Sequence, residues 1–268
     1  MMLIKSLWEE KCQVMISTTL KKINKHYILA IVFWLMIWQI SSVILGQEIL
    51  LVSPFYAFKR LLKLSMELEF WESIAFSFTK ITTGFILAFF TGIIMAIIAA
   101  NNKSFKILIE PLILTIQAIP VASFIILCLI WISSNNLSTL ISFLMVLPVV
   151  YRNILDGINS IPTELNDMAK VFKVSKSKKI RYIYMSHVVP YLRAACSVSL
   201  GLCWKSGIAA EVIGMPTNSI GENLYEAKIY LNTPDLFAWT IVIIIISICF
   251  QNGFLALIDK LLHKVEIN

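Results

Sequence analysis

The chain has 268 residues, 58% of them hydrophobic and 15% charged, with a mean hydropathy of +0.81. That composition excludes an ordinary soluble domain and marks an integral membrane protein. The formal charge of +7 informs only through where the charges lie.

Apolar runs suited to a hydrocarbon core of roughly 30 Å, about 20 residues at 1.5 Å each, are found at 27–46, 81–100, 112–132, 137–150, 188–210 and 236–258. Six crossings are predicted. With the N-terminus in the cytoplasm, 17 of the 23 Lys and Arg residues fall on the inner side. This positive-inside bias makes both termini cytoplasmic, with residues 1–26 and 259–268 as short tails.

Residues 1–26 carry charges of both signs, and no small-x-small cleavage site follows the first apolar run. That run therefore reads as a retained anchor and not as a removed signal peptide. In the outer segment 47–80, Pro54 is followed by Phe55, Phe58, Leu61, Leu62 and Leu64 interspersed with Lys59, Arg60 and Lys63, which predicts a helix lying at the outer interface. The second run places Gly84, Ala88, Gly92, Ala96 and Ala100 at every fourth position. Such a smooth stripe allows close helix contact in lipid, where apolar burial alone does not drive helices together. The third run is preceded by Pro111 and interrupted by Pro120, so the chain can bend over 118–123. The fourth is short and contains Pro148; extension through Tyr151 towards Leu155 supplies the missing length.

Residues 164–186, within an inner loop over 160–187, are both basic and amphipathic. Leu165, Met168, Ala169 and Phe172 recur at i, i+3, i+4 and i+7, one apolar helical face. Glu164 and Asp167 lie near the helix N-terminus, and Thr163 is placed to cap it. A second helix restarts at Ser175 or Ser177, with Ile180, Ile183 and Tyr184 on one face and Lys176, Lys178, Lys179 and Arg181 elsewhere. A turn is left near Lys173. On pattern alone the loop either docks into a groove of another protein or rests on lipid headgroups.

The fifth run ends in Trp204, Lys205 and, one turn and a half further on, Glu211. A charge left in lipid costs about 2.5 to 3.5 kcal/mol at a helix centre, so Lys205 and Glu211 either face a cavity or partner or snorkel to the interface. Beyond them, Pro216 and Gly221 precede a short helix predicted from Glu222 to Tyr230, and Thr233-Pro234-Asp235 leads into the sixth run. The cysteines Cys12, Cys128, Cys196, Cys203 and Cys249 show no paired or metal-ligand spacing and read as packing residues. His26, His187 and His263 flank the runs, at the membrane surface.

The inner loop resembles the coupling loop of the membrane subunit of ATP-binding cassette importers, whose pattern is Glu-Ala-Ala, three residues, Gly, nine residues, then Ile-x-Leu-Pro. Asp167, Met168 and Ala169 stand in the Glu-Ala-Ala positions, Lys173 in the Gly position, and Ile183, Met185 and Ser186 in the Ile, Leu and Pro positions. A left-handed turn at Lys173 would cost a non-glycine residue about 1 to 2 kcal/mol, which predicts a turn of different shape. Ser77, Lys80, Gly84, Phe85, Pro111 and Ile119-Pro120 are similar to the nitrate, sulfonate and taurine group of these permeases, with Lys80 where an Arg is usual, and so is the stretch from Trp204 to Gly214. The resemblance implies an all-α, six-span type I importer permease fold. It assigns the coupling role to Leu165, Asp167, Met168, Ala169, Phe172, Lys173 and Ile183, and places Trp204, Lys205 and Glu211 near the outer end of the translocation path or its gate.

The same resemblance implies cytoplasmic ATPase subunits, an external solute-binding protein and a second permease copy forming a homodimer in the cell membrane, with no nucleic-acid partner. The solute it implies is small and anionic or zwitterionic; thiamine-precursor systems have similar membrane subunits and are the neighbouring alternative. The residues agree on what this chain lacks. No G-x-x-x-x-G-K-[ST] loop occurs, so ATP is bound by the partner ATPase and not here, and no H-E-x-x-H, G-x-S-x-G or Cys-x-x-Cys site suggests a catalytic, metal or cofactor centre. Nor do the apolar runs carry the interior ionisable groups, or the chain the inverted repeat, that a self-sufficient channel or secondary carrier would need; Arg193 is the nearest case. An intramembrane enzyme would need a nucleophile, His or carboxylates clustered at one depth.

Overall fold

The computed structural model describes residues 25–47 and 49–267, with side chains for 28–47 and 49–260. The expected N-terminal tail with Cys12, and the side chains of His26 and His263, lie outside the described residues. Among the described residues all regular structure is helical: α1 Lys25–Leu45, α2 Pro54–Leu64, α3 Leu68–Asn101, α4 Lys103–Ala118, α5 Val121–Cys128, α6 Ser134–Asn159, α7 Thr163–Val171, α8 Lys176–Gly214, α9 Ile220–Ile229 and α10 Thr233–Ile267.

Five of these helices, α1, α3, α6, α8 and α10, are long and apolar enough to cross a membrane, and α4 and α5 form a sixth candidate only as a pair bent by 105°. The bend lies where Pro120 predicted it. The ring of a proline excludes the helical conformation from the residue before it, and Ile119 is accordingly extended at φ −75°, ψ 130°. Of the boundaries that differ from the apolar runs, three bear on the site. Residues 68–80, assigned above to the outer segment, belong to α3, because Ser73 and Ser77 find buried partners there and extend the span outward. Pro111 lies inside α4, which starts at Lys103 with the Asn102 side chain accepting from the Phe105 N–H at 3.2 Å. The fifth crossing begins at Lys176, well before the apolar run, so the second loop helix and the span are one rod.

The chain divides into one unit up to Phe58 and a second from Lys59. In the first, α1 is apolar all round, and the Trp38 Nε1–H and Ser42 hydroxyl donate to the Val52 and Leu51 carbonyls, each at 2.9 Å, folding the following stretch of loop back along the helix.

The second unit is organised around α6, with α3 running parallel to it and α8 antiparallel. A Cβ on Gly92 would lie 3.0 Å from Val150 Cβ and 3.3 Å from the Tyr151 nitrogen, and one on Gly84 would run into the Thr139 carbonyl. The glycines of the α3 stripe therefore set how near the two backbones come. At the inner end the buried member is Ala99 and not Ala100, since a four-residue step drifts off a 3.6-residue turn. Between α6 and α8, Gly157 faces Tyr191 and Gly214 faces Leu137, with the Ser142 hydroxyl donating to the Cys203 carbonyl at 3.2 Å between them. An aromatic seam of Phe85, Phe89, Phe250 and Phe254, capped by Trp204, packs α3 and α8 against α10.

Candidate functional site

On the side of the bundle where α3 and α6 end, α7 and the start of α8 form a helical hairpin. Its N-terminus is not capped by Thr163, as expected above; Pro162 occupies the cap position at φ −57°, ψ 137°, with no side-chain cap bond, and Thr163 is the first helical residue. The predicted apolar face also divides. Leu165 and Ala169 turn inward onto Ile161, Ile183 and Tyr184 as a small separate core, whereas Met168, Val171 and Phe172 point outward, with Phe172 73% exposed. Residues four apart share a side, Leu165 with Ala169 and Met168 with Phe172, whereas the three-residue steps from Leu165 to Met168 and from Ala169 to Phe172 turn the side chain about 60° the other way, out of the packed row.

The turn between the helices is left-handed after all. Lys173 has φ 47°, its N–H donates to the Lys170 carbonyl at 3.0 Å, and the Val174 N–H donates to the Ala169 carbonyl at 2.9 Å. Those two bonds make a Schellman closure, the arrangement that glycine usually terminates. The prediction of a different turn shape is corrected: the paired bonds hold Lys173 in a conformation that its Cβ disfavours. On the exposed face Lys170 donates to Asp167 at 2.8 Å, and that hydrogen bond, with the cation's charge, holds the Asp167 carboxyl below the usual carboxylate range. Residues 180–184 form a π-turn, after which α8 continues as a regular helix.

On the same side of the bundle, a cavity of about 640 Å³ opens between the start of α4 and the end of α6, lined by Lys103, Lys106, Glu110, Arg152 and Asp156. Arg152 donates to Glu110 at 2.9 Å across it.

Towards the opposite end of the bundle the two embedded charges part company. Glu211 does not snorkel: it is fully buried, accepting from the Ser77 hydroxyl at 2.6 Å and from the Gly221 N–H at 3.4 Å. The Ile220 N–H donates in turn to the Ser77 oxygen at 3.0 Å, and the Asn223 amide to Ser73 at 3.0 Å. Glu211 thus joins α8 to α3 and to the N-terminus of α9, where a helix favours negative charge. Gly221 is needed there because a Cβ would collide with the backbone between Glu211 and Val212. Trp204 is buried against Phe78 and Phe250, at 6.0 and 6.1 Å between ring centres. Lys205 is exposed.

Two features escaped the sequence reading. The helix expected from Glu222 starts at Ile220, with the Ser219 hydroxyl accepting from the Glu222 N–H at 3.0 Å and the Glu222 carboxylate accepting from the Asn218 N–H at 2.6 Å. The Ser-x-x-Glu spacing of a capping box was the available signal. Arg60 of α2 grips Asp235 in the first turn of α10 through two hydrogen bonds, the Nη2 one at 2.9 Å; no local pattern links residues 175 apart.

The family described as binding-protein-dependent transport system inner membrane component matches residues 80–264. The chain is similar to the bicarbonate transport system permease protein of Synechococcus elongatus, 26% identical over 59% of this chain and 57% of that one. It is also similar to the nitrate import permease protein of the same organism, 28% identical over 75% of each. The taurine transport system permease protein of Escherichia coli is 23% identical over 84% of this chain and 83% of its own. The match to the bicarbonate relative thus spans little more than half of that protein.

Proposed function

We propose, from the premise that the chain belongs to the family of binding-protein-dependent transport system inner membrane components, that it is the permease subunit of an ATP-driven importer for a small oxyanion. Bicarbonate, nitrate and the sulfonate head of taurine, the solutes named for its relatives, share a compact delocalised negative group, and that shared chemistry defines the solute class. The observation that carries the reading is the inner hairpin. Its inward row of Leu165, Ala169 and Ile183 fixes the shape, leaving Met168, Val171 and Phe172 as an apolar patch beside Asp167 and Lys170.

An apolar patch of this kind, on a rigid hairpin continuous with a membrane-spanning rod, suits a groove on a cytoplasmic ATPase. ATP binding and hydrolysis take place on that partner, and closure of two ATPase subunits moves the hairpins with the α8 rods. Two copies of this chain then rock between inward and outward openings, taking solute from an external binding protein; a symmetric homodimer fits the preference of oligomers for closed point groups. Both termini and the hairpin lie in the cytoplasm, with the 27–258 region as the transmembrane body.

The test is to purify the chain with the products of its neighbouring genes and reconstitute the complex in vesicles. An ATPase bearing a phosphate loop co-purifies, and vesicles supplied with ATP and the binding protein accumulate bicarbonate, nitrate or taurine. Uptake by this chain alone, against a gradient and without nucleotide, would overturn the proposal.

A further inference from the structure

The expectation that the runs lack interior ionisable groups is corrected by α8, which holds Glu211 fully buried and carries Lys205 among buried neighbours; of the charges on this part of the helix, Lys205 differs from the others. Arg193 is paired with Asp259 at 2.9 Å, and Glu211 is buried against Ser77. Lys205 makes no hydrogen bond or ion pair among the described residues, and its side chain is exposed while Cys203, Trp204, Ser206 and Gly207 around it are buried.

Its depth follows from the α6 partners. Tyr191 lies against Gly157 and Gly214 against Leu137, so those contacts bracket the part of α8 that crosses beside α6. Lys205 is nine residues from Gly214, about 14 Å at 1.5 Å per residue, which sets it roughly 4 Å to the outer side of the midpoint of that bracket. A four-carbon stem, about 6 Å long, does not bring the ammonium level with Gly214, where α8 ends, so snorkelling leaves it alongside the helix.

The face it stands on is open. One turn inward, a Cβ on Gly201 would meet nothing within 4 Å, and Val198 beyond it is 61% exposed. A lone cation at this depth faces water or a counter-charge, because neither lipid nor its own chain solvates it.

We infer that Lys205 is the residue that receives the negative head of the solute midway across the membrane, on an aqueous face of α8 whose inward continuation is Gly201 and Val198. The inference rests on the importer reading above and adds to it a place and a chemistry: one ammonium, three donors, matched to the oxygens of a small monoanion. Glu211 and Trp204, both buried, belong to the packing that holds α8 in position.

Two measurements test it. In the full chain, Lys205→Cys is treated with a membrane-impermeant, negatively charged methanethiosulfonate, with the wild type and its own cysteines as the background. Labelling above that background is the expected result; a thiol at this position that stays unlabelled lies against lipid or a protein interface and overturns the inference. In vesicles holding the complex with its ATPase and binding protein, bicarbonate, nitrate and taurine are tried in turn. For the one that the wild type accumulates, Lys205→Gln raises KM about tenfold or more while Lys205→Arg stays within about threefold. Equal KM in the Gln variant and the wild type overturns the inference and leaves the importer reading standing. If the wild type accumulates none of the three, the solute reading fails, and the labelling result alone decides whether Lys205 faces water.

Discussion

Ser77 is the residue on which the outer end of the bundle turns. Its hydroxyl donates to Glu211 Oε2 while its oxygen accepts the Ile220 N–H, so one small side chain partners one oxygen of a buried carboxylate and a buried helix N-terminus together, with the other oxygen, Oε1, left without a hydrogen bond. Ser77→Ala leaves both groups short of a partner with no water to replace it. We expect a loss of about 1 to 3 kcal/mol, read as an earlier unfolding transition of the detergent-solubilised protein; an unchanged transition would mean the network contributes nothing to the fold. Lys173 offers the opposite experiment. Its φ of 47° is held by the two bonds that close α7, and Lys173→Gly removes the Cβ strain with the bonds intact. The variant is expected to gain about 1 kcal/mol in the same melt, the residual entropy of glycine offsetting part of the relief. The depth of Glu211 could not be read from sequence, because it is set by Gly221, ten residues away across a loop, coming close enough to seal it. The Ser219 and Glu222 capping pair could have been read, and would have placed the start of α9 correctly.

At the scale of elements, the sequence was most informative where a period had a single interpretation. The α3 stripe of small residues predicted a close helix contact, and α6 fills it; replacing Gly92 by Leu drives a side chain into Val150 and the Tyr151 backbone. That overpacking should cost about 2 to 3 kcal/mol and lower the yield of folded protein in the membrane. The inner hairpin was legible as a helix, a turn and a basic second helix, but not in its facing, since Leu165, Met168, Ala169 and Phe172 all satisfy the same spacing. Only the packing of Ile161 and Ile183 decides that Leu165 and Ala169 lie inward. The consequence is a division of labour that mutation can separate. Phe172→Ala should leave the melt unchanged and weaken association with the ATPase by about 2 kcal/mol, some thirtyfold in Kd, as for an exposed aromatic anchor at an interface. Leu165→Ala should instead loosen the hairpin itself and lower its resistance to proteolysis. Equal affinity of the Phe172→Ala and wild-type chains for the ATPase would remove the outward patch from the docking surface.

For the whole molecule, the orientation in the membrane ties the two ends of the proposed mechanism together. The parallel run of α3 with α6 and the antiparallel run of α8 place 102, 160–175 and the end of α10 on one side, and 65–67, 129–133 and 215–232 on the other. The first side holds Lys103, Lys106, Arg152, the six Lys and Arg residues from Lys170 to Arg181 and Lys260, the second Lys59, Arg60, Lys63, Lys80 and Lys228, ten against five. Positive charge near the ends of spans resists translocation, so the first side should be cytoplasmic. The expectation rests on charge counts in either case; what those counts could not supply was the break at Pro120, on which the number of crossings depends. If α4 and α5 form one crossing, a thiol placed at residue 131 and one at residue 217 react with an impermeant reagent from outside intact cells, while one at residue 102 reacts only after the cells are opened. If the pair re-enters, the sites at 102 and 131 lie on the same face. In that case α6, which follows directly, and α3 would have to start from opposite sides of the membrane. Their parallel contact from Lys80–Asn136 through Gly92–Val150 forbids that arrangement, so external labelling at 131 is the expected outcome. Labelling at 131 only in opened cells would contradict the packing of the second unit as well as the orientation on which the proposed docking of the hairpin to an ATPase depends.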